Sequence, residues 1–458
     1  MAELGHPLYL GEGTMGWVCA RPEQAALVLG PPRSGKTTSV VIPSILAAAG
    51  PVLSTSTKRD CMEVTLGARA QLGRCWLFDP TGTVPAPPGV CRLGWSPVTA
   101  SRTWDGAVAM ARAMVAGSRA VAGLVDGNHW SERAEALLAP LLYAAALDER
   151  PMAEVVRWVN RREEATAAVT LAGHGAELAG DALAGVSATE TREQSGIWST
   201  AASVLGAYRS QAALDSAALP GADLDAFVRS ADTIYVCAPA RQQALVAPLV
   251  VGLVDQVRGA AYDAAATGRG GGQAPVQLAL DEVANVAPLP DLPAIVSEGG
   301  SQGLVTLACL QDLSQARARW GVAAEGFPTL FGAKVVLGGI GDVRTLEAIS
   351  VVCGEVDVPS RTTSGSWGAS GRRQWTVTRA TSRRRRLPVD ELSRGRPGAA
   401  LLLDGERPPA WMRLTPWHSA EPWPTVAHEG RLALGRQLHQ AGRSMALEEG
   451  GPELSLGR

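Results

Sequence analysis

Short apolar runs bounded by turn residues recur along the chain: AALVLG (25–30), GPVLSTS (50–56), RCWLFDP (74–80), DTIYVCAP (232–239), VQLALDE (276–282), GLVTLAC (303–309), AKVVLGG (333–339) and AALLLDG (399–405). Most are apolar at successive positions rather than at alternate ones, the pattern of strands covered on both faces of a mainly parallel sheet. Segments of helical period lie between them, which predicts a layered α/β fold. One interval breaks the alternation. From about residue 100 to 222, Ala-rich stretches of 3.6-residue period such as DGAVAMARAMVAG and WSERAEALLAPLLYAAAL replace the strand signals. In them Leu137, Leu138, Leu141 and Leu142, with Trp130 and Trp198, are expected to form a core. The expected organisation is therefore a first part of the α/β domain over 1–99, an inserted all-α domain over 100–222, and a second part over 223–420. A tail over 421–458 is expected to hold a helix with a frayed end. TGRGGGQAP (267–275) reads as a flexible connection, and the Gly/Ser/Arg-rich residues 360–386 as a loop.

A length of 458 residues suggests roughly two to four domains. The formal charge of −2 argues against a globally basic nucleic-acid binder, so contact with a polyanion must be local. Basic residues are almost all Arg; Lys occurs only at 36, 58 and 334. The seven cysteines form no CxxC pair and no Cys/His cluster, which fits a reduced interior. The first residues, MAELGHPLYLGEG, lack the charged leader and apolar stretch of a signal peptide. The longest uncharged stretch, 37–57, is broken by Pro43, Gly50 and Pro51. No segment is expected to cross a bilayer, and the chain reads as soluble and cytoplasmic.

The sharpest chemistry lies after the first strand. Gly30-Pro31-Pro32-Arg33-Ser34-Gly35-Lys36-Thr37 fits G-x4-G-K-[ST], with an apolar strand before it and a helix-competent segment from Thr38 onward. Such a loop curls backbone N–H groups around phosphate oxygens at a helix N-terminus. Lys36 is expected to reach the β- and γ-phosphates, and the Thr37 hydroxyl to ligate Mg²⁺. The second half of the site should be an acid at the tip of another apolar strand, and VQLALDEVAN offers Asp281 for Mg²⁺ and Glu282 to activate water. A water-activating carboxylate suits an ATPase better than a small-molecule kinase. LLLDGE offers the alternative Asp404, split from Glu406 by Gly405. Gln311 ends the strand GLVTLACL and could sense the γ-phosphate.

Taken together, these residues resemble the type IV secretion coupling proteins, conjugation ATPases of the TraG/TraD kind. The resemblance rests on GPPRSGKTT, STKRD (56–60), WLFDPTG (76–82), WSP (95–97), LALDEVANVAPLPDLPAIVSEGGSQGL (278–304), ACLQDLSQARARWG (308–321) and VVLGGIGDVRTLEAISVVCGE (335–355). It implies a RecA-like P-loop core that uses ATP and Mg²⁺, the all-α insertion, and assembly as a homohexamer. The activity it implies is ATP-driven delivery of DNA and its attached relaxase, or another secretion substrate, to a membrane channel. The family usually begins with membrane-spanning helices, whereas only 29 residues precede Gly30. A separate membrane component that holds the chain at the inner face of the cell membrane, a truncated start, and action without an anchor are the alternatives. Relatives also carry an Arg before the Gln motif that can act across a subunit boundary. No Arg occurs here between Glu282 and Arg317, so such an Arg must come from elsewhere or hydrolysis is weak. Val283 replaces the usual aromatic.

Residues 361–386 carry eight arginines and no acid, interleaved with Trp367 and Trp375. Arginine for phosphates with aromatics for base stacking is the composition of a surface for DNA, single- or double-stranded. Arg372, Arg373, Trp375, Arg383, Arg384, Arg385 and Arg386 are the candidate contacts; a solvated arginine-rich loop without a partner is the alternative. Lys58 in STKRD could touch nucleotide or DNA. Two other functions remain open at this point: a chromosome motor of the FtsK/HerA kind, and a slowly hydrolysing nucleotide-binding adaptor that recruits secretion substrates.

Overall fold

A computed structural model describes residues 8–118, 126–268, 274–367 and 373–449. Its strands are β1 (Tyr9–Gly13), β2 (Gly16–Cys19), β3 (Ala26–Leu29), β4 (Val52–Ser56), β5 (Cys75–Phe78), β6 (Val90–Arg92), β7 (Thr233–Cys237), β8 (Val276–Leu280), β9 (Leu304–Leu310), β10 (Ala333–Leu337), β11 (Glu355–Trp367), β12 (Arg373–Arg385), β13 (Ala399–Asp404) and β14 (Ala410–Arg413). Twelve of them make one sheet in the order β2-β1-β14-β13-β10-β3-β9-β8-β4-β7-β5-β6. From β10 to β6 every neighbouring pair is parallel, and the β13, β14, β1 and β2 edge is antiparallel. All eight expected strands are present, in a mainly parallel α/β arrangement.

The central strands β3, β4, β7, β8 and β9 are buried at every position. Successive side chains serve opposite layers. Leu27, Leu29, Leu278 and Leu280 join the larger core, which continues into the helices between β6 and β7. Ala26, Val28 and Ala279 join a second core with Val40, Ile42 and Ile45 of the helix that follows the phosphate loop.

Between Pro97 and Phe227 the described elements are all helical. Leu137, Leu138, Leu141, Leu142 and Trp198 are buried there, and Trp130 is partly buried against the same core. Chain entry and exit lie side by side, with Gly94 N–H donating to Pro220 O at 2.9 Å. Arg69 is fully buried; its Nε donates to Thr233 Oγ1 at 2.8 Å and its Nη2 to Gly50 O at 2.7 Å. That single guanidinium ties its own helix to two connections at the strand starts, before β4 and β7.

Three expectations are corrected. The described residues of 360–386 are not a loop: β11 and β12 form a separate two-stranded antiparallel ribbon. The composition, rich in Gly, Ser and Arg, masked a run of Thr and Val with Trp that suits strands. Second, one helix, Gln243–Ala266, is long and apolar enough to cross a bilayer by length and composition. Its apolar residues, Val250, Leu253, Val254 and Val257 among them, are instead spent on the larger core. Third, beyond the eight expected strands the sheet has four short ones, β1, β2, β6 and β14, of three to five residues each. Residues 269–273 of the expected connection lie outside the described residues.

The C-terminal helix Trp423–Glu449 docks on the two N-terminal strands and on the helix Asp60–Arg69. Trp423 stacks on Trp17 with ring centroids 4.7 Å apart and meets Tyr9 edge-on at 5.0 Å. Farther along, Gly430 and Gly67 let it touch the helix Asp60–Arg69. A Cβ at Gly67 would lie 2.4 Å from Arg431 N, and one at Gly430 would lie 2.3 Å from Ala68 N. Backbone stands on both sides of the contact, so neither helix can yield without separating. Gly67→Ala is therefore expected to lower stability by about 1–3 kcal/mol and to speed amide exchange in residues 423–441. An unchanged melting temperature and exchange pattern would contradict this packing.

Candidate nucleotide site

The strands β3, β9 and β8 are adjacent and parallel, so all three end at the same edge of the sheet. The phosphate loop leaves β3, Gln311 follows β9, and Asp281 follows β8. Asp404 does not belong to this edge. It pairs with Ala333 at the start of β10, at the opposite end, where Arg407 (3.0 Å) and Arg21 (3.6 Å) neutralise it. Geometry removes it as an alternative to Asp281.

The loop is shaped by backbone that side chains seldom tolerate. Gly35 has φ +98° and Arg33 φ +64°, so the chain can coil before the helix begins at Thr37. That helix runs Thr37–Val41 as a widened π turn and continues as Ile42–Ala47, a form common at functional sites. Lys36 is buried; its Nζ donates to Gly30 O at 2.5 Å and to Pro31 O at 3.0 Å. The ammonium thus lies inside the curl of the loop, held by neutral carbonyls. Ser34 Oγ is buried without a protein partner, a donor left over for a ligand. Pro32 and Arg33 are exposed. Pro31 is backed by Gly339, where a Cβ would stand 3.1 Å from its ring. Thr38 O accepts from Trp417 N–H at 2.8 Å, so the segment before the C-terminal helix braces the loop helix.

Thr37 Oγ1 donates to Asp281 Oδ2 at 2.7 Å across 244 residues of sequence. Asp281 is buried, and burial pushes its carboxyl up to about 6; the neighbouring Glu282 pushes the same way, while the Thr37 hydrogen bond and Lys36 pull it down. A carboxylate so placed lacks a full counter-charge, and a hydroxyl and carboxylate side by side are an oxygen donor pair suited to Mg²⁺. The buried orphan hydroxyl of Ser34, the enclosed ammonium and this oxygen pair together fit a magnesium nucleotide.

Glu282 sits at φ +57°, a left-handed conformation that costs of order 1 kcal/mol or more for a side-chain-bearing residue. The surrounding bonds hold it there. Asp281 N–H donates to Thr55 O at 3.2 Å and Val283 N–H to Cys309 O at 3.2 Å, locking both sides of the turn to neighbouring strands. Asn285 Nδ2 donates to Glu282 Oε2 at 3.3 Å. Asn285 was legible only as the last letter of DEVAN, three residues beyond the acid in a tight turn. Gln311 stands between the two halves of the site: Leu310 O accepts from Gly30 N–H at 3.2 Å, and Gln311 N–H donates to Gln315 Oε1 at 2.8 Å. Gln315 is a second residue that sequence reasoning did not single out.

Lys58 is exposed just past β4, next to β8. The basic candidates occupy the ribbon. Arg373 and Trp375 lie at its far end; Arg383, Arg384 and Arg385 lie at its base, followed by Arg386. Arg372 lies outside the described residues. Among the described residues, no hydrogen bond or ion pair joins these side chains to the loop of residues 30–38.

The raised carboxyl has a stability consequence. A folded-state value above the unfolded one favours the folded protein below the unfolded value near 4 and penalises it as pH rises through about 6. In metal-free protein, Asp281→Asn should therefore raise stability at pH 8 by roughly 2–3 kcal/mol, a gain that shrinks towards zero by pH 4. Thermal unfolding across that range checks it, and loss of stability at pH 8 would contradict the stated environment.

The match to the family model of type IV secretory system conjugative DNA transfer covers residues 3–413. Among solved structures, the plasmid coupling protein TrwB in complex with a non-hydrolysable ATP analogue is similar, with a TM-score of 0.66, 19% identity and 88% of each chain covered. TrwB in complex with ADP and Mg²⁺ gives 0.65, 18% identity and 87% of each chain. The unbound bacterial conjugative coupling protein TrwB gives 0.63 and 18% over 87% of each. No curated protein matches the chain. With 411 consecutive positions spanned by one model, from 3 to 413, the chain belongs to the type IV secretory system conjugative DNA transfer family.

Proposed function

We propose that this chain is an ATP-hydrolysing DNA translocase that couples relaxase-bound DNA, or another secretion substrate, to a type IV secretion channel. The observation that carries the reading is the 2.7 Å hydrogen bond between Thr37 and Asp281, which puts the two halves of the nucleotide site at one sheet edge with Glu282 beside them. TrwB, which shares the fold, is described with an ATP analogue and with ADP and Mg²⁺, and we assign the same ligands here.

In this reading the N–H groups of residues 31–37 and the helix N-terminus bind phosphate oxygens. Lys36 exchanges the Gly30 and Pro31 carbonyls for phosphate. Thr37 and Asp281 hold Mg²⁺, which when bound offsets charge on the phosphate oxygens. Glu282 takes a proton from the attacking water on the carboxylate oxygen that Asn285 leaves open. Gln311, on the strand between the two halves, contacts the γ-phosphate and reports its loss along the helix Leu313–Trp320. Residues 100–222 act as an inserted unit that meets the substrate protein. The homohexamer, the inner face of the membrane and a separate membrane component belong to the same proposal.

Two rival functions give different results. Purified chain should hydrolyse ATP in the presence of Mg²⁺, with turnover stimulated by DNA. Glu282→Gln should cut turnover by about 100-fold or more while leaving nucleotide binding intact. Turnover that ignores both DNA and this substitution would favour a nucleotide-binding adaptor. A chromosome motor of the FtsK/HerA kind would show DNA stimulation but no association with relaxase.

A further inference from the structure

The ribbon's register sorts its side chains onto two unlike faces. In an antiparallel pair, residues directly opposite share a face and alternate along each strand. One face holds the pairs Glu355/Arg385, Asp357/Arg383, Pro359/Thr381, Arg361/Arg379, Thr363/Val377, Gly365/Trp375 and Trp367/Arg373. The other holds Val356/Arg384, Val358/Ser382, Ser360/Ala380, Thr362/Thr378 and Ser364/Thr376. Val356, Val358, Ser360 and Ser382 of the second face are half-buried, whereas every described residue of the first face is exposed. The first face therefore looks outward along its length.

Charge is distributed unevenly along that outward face. At the base, Arg383 and Arg385 stand opposite Asp357 and Glu355, and Arg383 Nε reaches Glu355 at 3.0 Å. Two acids balance two arginines there. In the outer half Arg361, Arg379 and Arg373 have no acid opposite them. Trp367 and Trp375 are 74% and 58% exposed, a large cost in wetted apolar area for side chains with no protein core to join. Arg373 lies over the Trp375 ring at 4.7 Å and near the Trp367 ring at 6.0 Å. Gly365 opposite Trp375 leaves room for the indole to lie across the ribbon, the ring standing 3.2 Å from where a Cβ would be. The result is a strip about 20 Å long with cations spaced along it and two flat apolar faces at its outer end.

We propose that the outer half of this one face binds single-stranded DNA, phosphates on Arg361, Arg379 and Arg373, and bases stacked on Trp367 and Trp375. The proposal rests on the DNA-motor reading and narrows it: Arg383 and Arg385 at the base of this face are offset by Asp357 and Glu355, and the contact moves outward to Arg361 and Arg379. Stacking favours a single strand because its bases are unpaired and their faces accessible. A duplex offers phosphates but hides those faces.

The test is fluorescence anisotropy of a labelled single-stranded oligonucleotide with the full chain, titrated at several salt concentrations. Arg361→Ser with Arg379→Ser should weaken binding and lower the salt slope by about 1.4, two contacts at roughly 0.7 each. Arg383→Ser with Arg385→Ser should change neither. Trp375→Ala should weaken binding roughly ten-fold with the salt slope kept, and far-ultraviolet dichroism with a melting curve shows that each variant is folded. If the unaltered chain binds DNA but the Arg361/Arg379 pair changes nothing, the ribbon assignment falls and the motor reading stands. If the unaltered chain binds no DNA, both fall. Tighter binding to duplex than to single strand overturns the stacking assignment. A changed assembly mass with unchanged DNA binding makes the ribbon a contact between copies instead.

Discussion

Parallel strands that start at one edge of a sheet must finish at the other, and the candidate chemistry of this protein depends on that constraint. The phosphate loop, Gln311 and Asp281 come from widely separated parts of the chain, yet each follows directly on one of three adjacent strands. The Thr37–Asp281 hydrogen bond is the visible consequence. It spans a strand, because β9 lies between β3 and β8, so the residue after β9 is placed between the two halves without any special device. Two packed layers keep the three tips level: Leu27 and Leu278 enter one, Val28 and Ala279 the other.

Other parts of the molecule are tied to this edge by hydrogen bonds rather than by sequence proximity. Trp417 N–H holds the loop helix from the C-terminal side. Arg319 of the helix after Gln311 donates to Ala116 O at 3.1 Å and to Pro288 O at 3.3 Å. That guanidinium therefore joins three segments: the element following the γ-phosphate candidate, the strap following Asp281 and Glu282, and the end of the helix Trp104–Gly117. Arg317 closes a further link to Asp342 at 2.7 Å, beyond the tip of β10. Gln311 thus has a short covalent and hydrogen-bonded connection to the helical segments through Arg319.

Much of this was readable from the chain. Strands buried on both faces announce themselves as continuous apolar runs, so all eight central runs were visible. G-x4-G-K-T and the acid pair after VQLAL located the site because each needs particular residue types at fixed spacing. What escaped was either set by tertiary context or hidden by composition. Asn285 and Gln315 reach Glu282 and Gln311 by single hydrogen bonds, and an isolated amide carries no signature. β1, β2 and β14 are strands of only four or five residues at the antiparallel end of the sheet, too short to stand out as runs. The ribbon was lost to its Gly, Ser and Arg content, although Thr362, Thr363, Thr376, Val377 and Thr378 favour strands; pairing register, not residue type, then divided its arginines into those balanced by Glu355 and Asp357 and those left uncompensated. The helix Gln243–Ala266 shows the reverse ambiguity: hydropathy cannot distinguish burial beneath a sheet from burial in lipid.

The central claim is that Lys36 and Asp281 serve one magnesium nucleotide. Its most direct measurement is a thermodynamic cycle: the affinity of the chain for a non-hydrolysable ATP analogue, with and without Mg²⁺, for the unaltered chain and for Asp281→Asn. The account predicts that Mg²⁺ strengthens binding to the unaltered chain and that most of this gain disappears in the variant, while metal-free affinity stays nearly the same. An equal Mg²⁺ dependence in both proteins would mean that Asp281 lies outside the nucleotide's metal site, and the arrangement described here would not be the one that works.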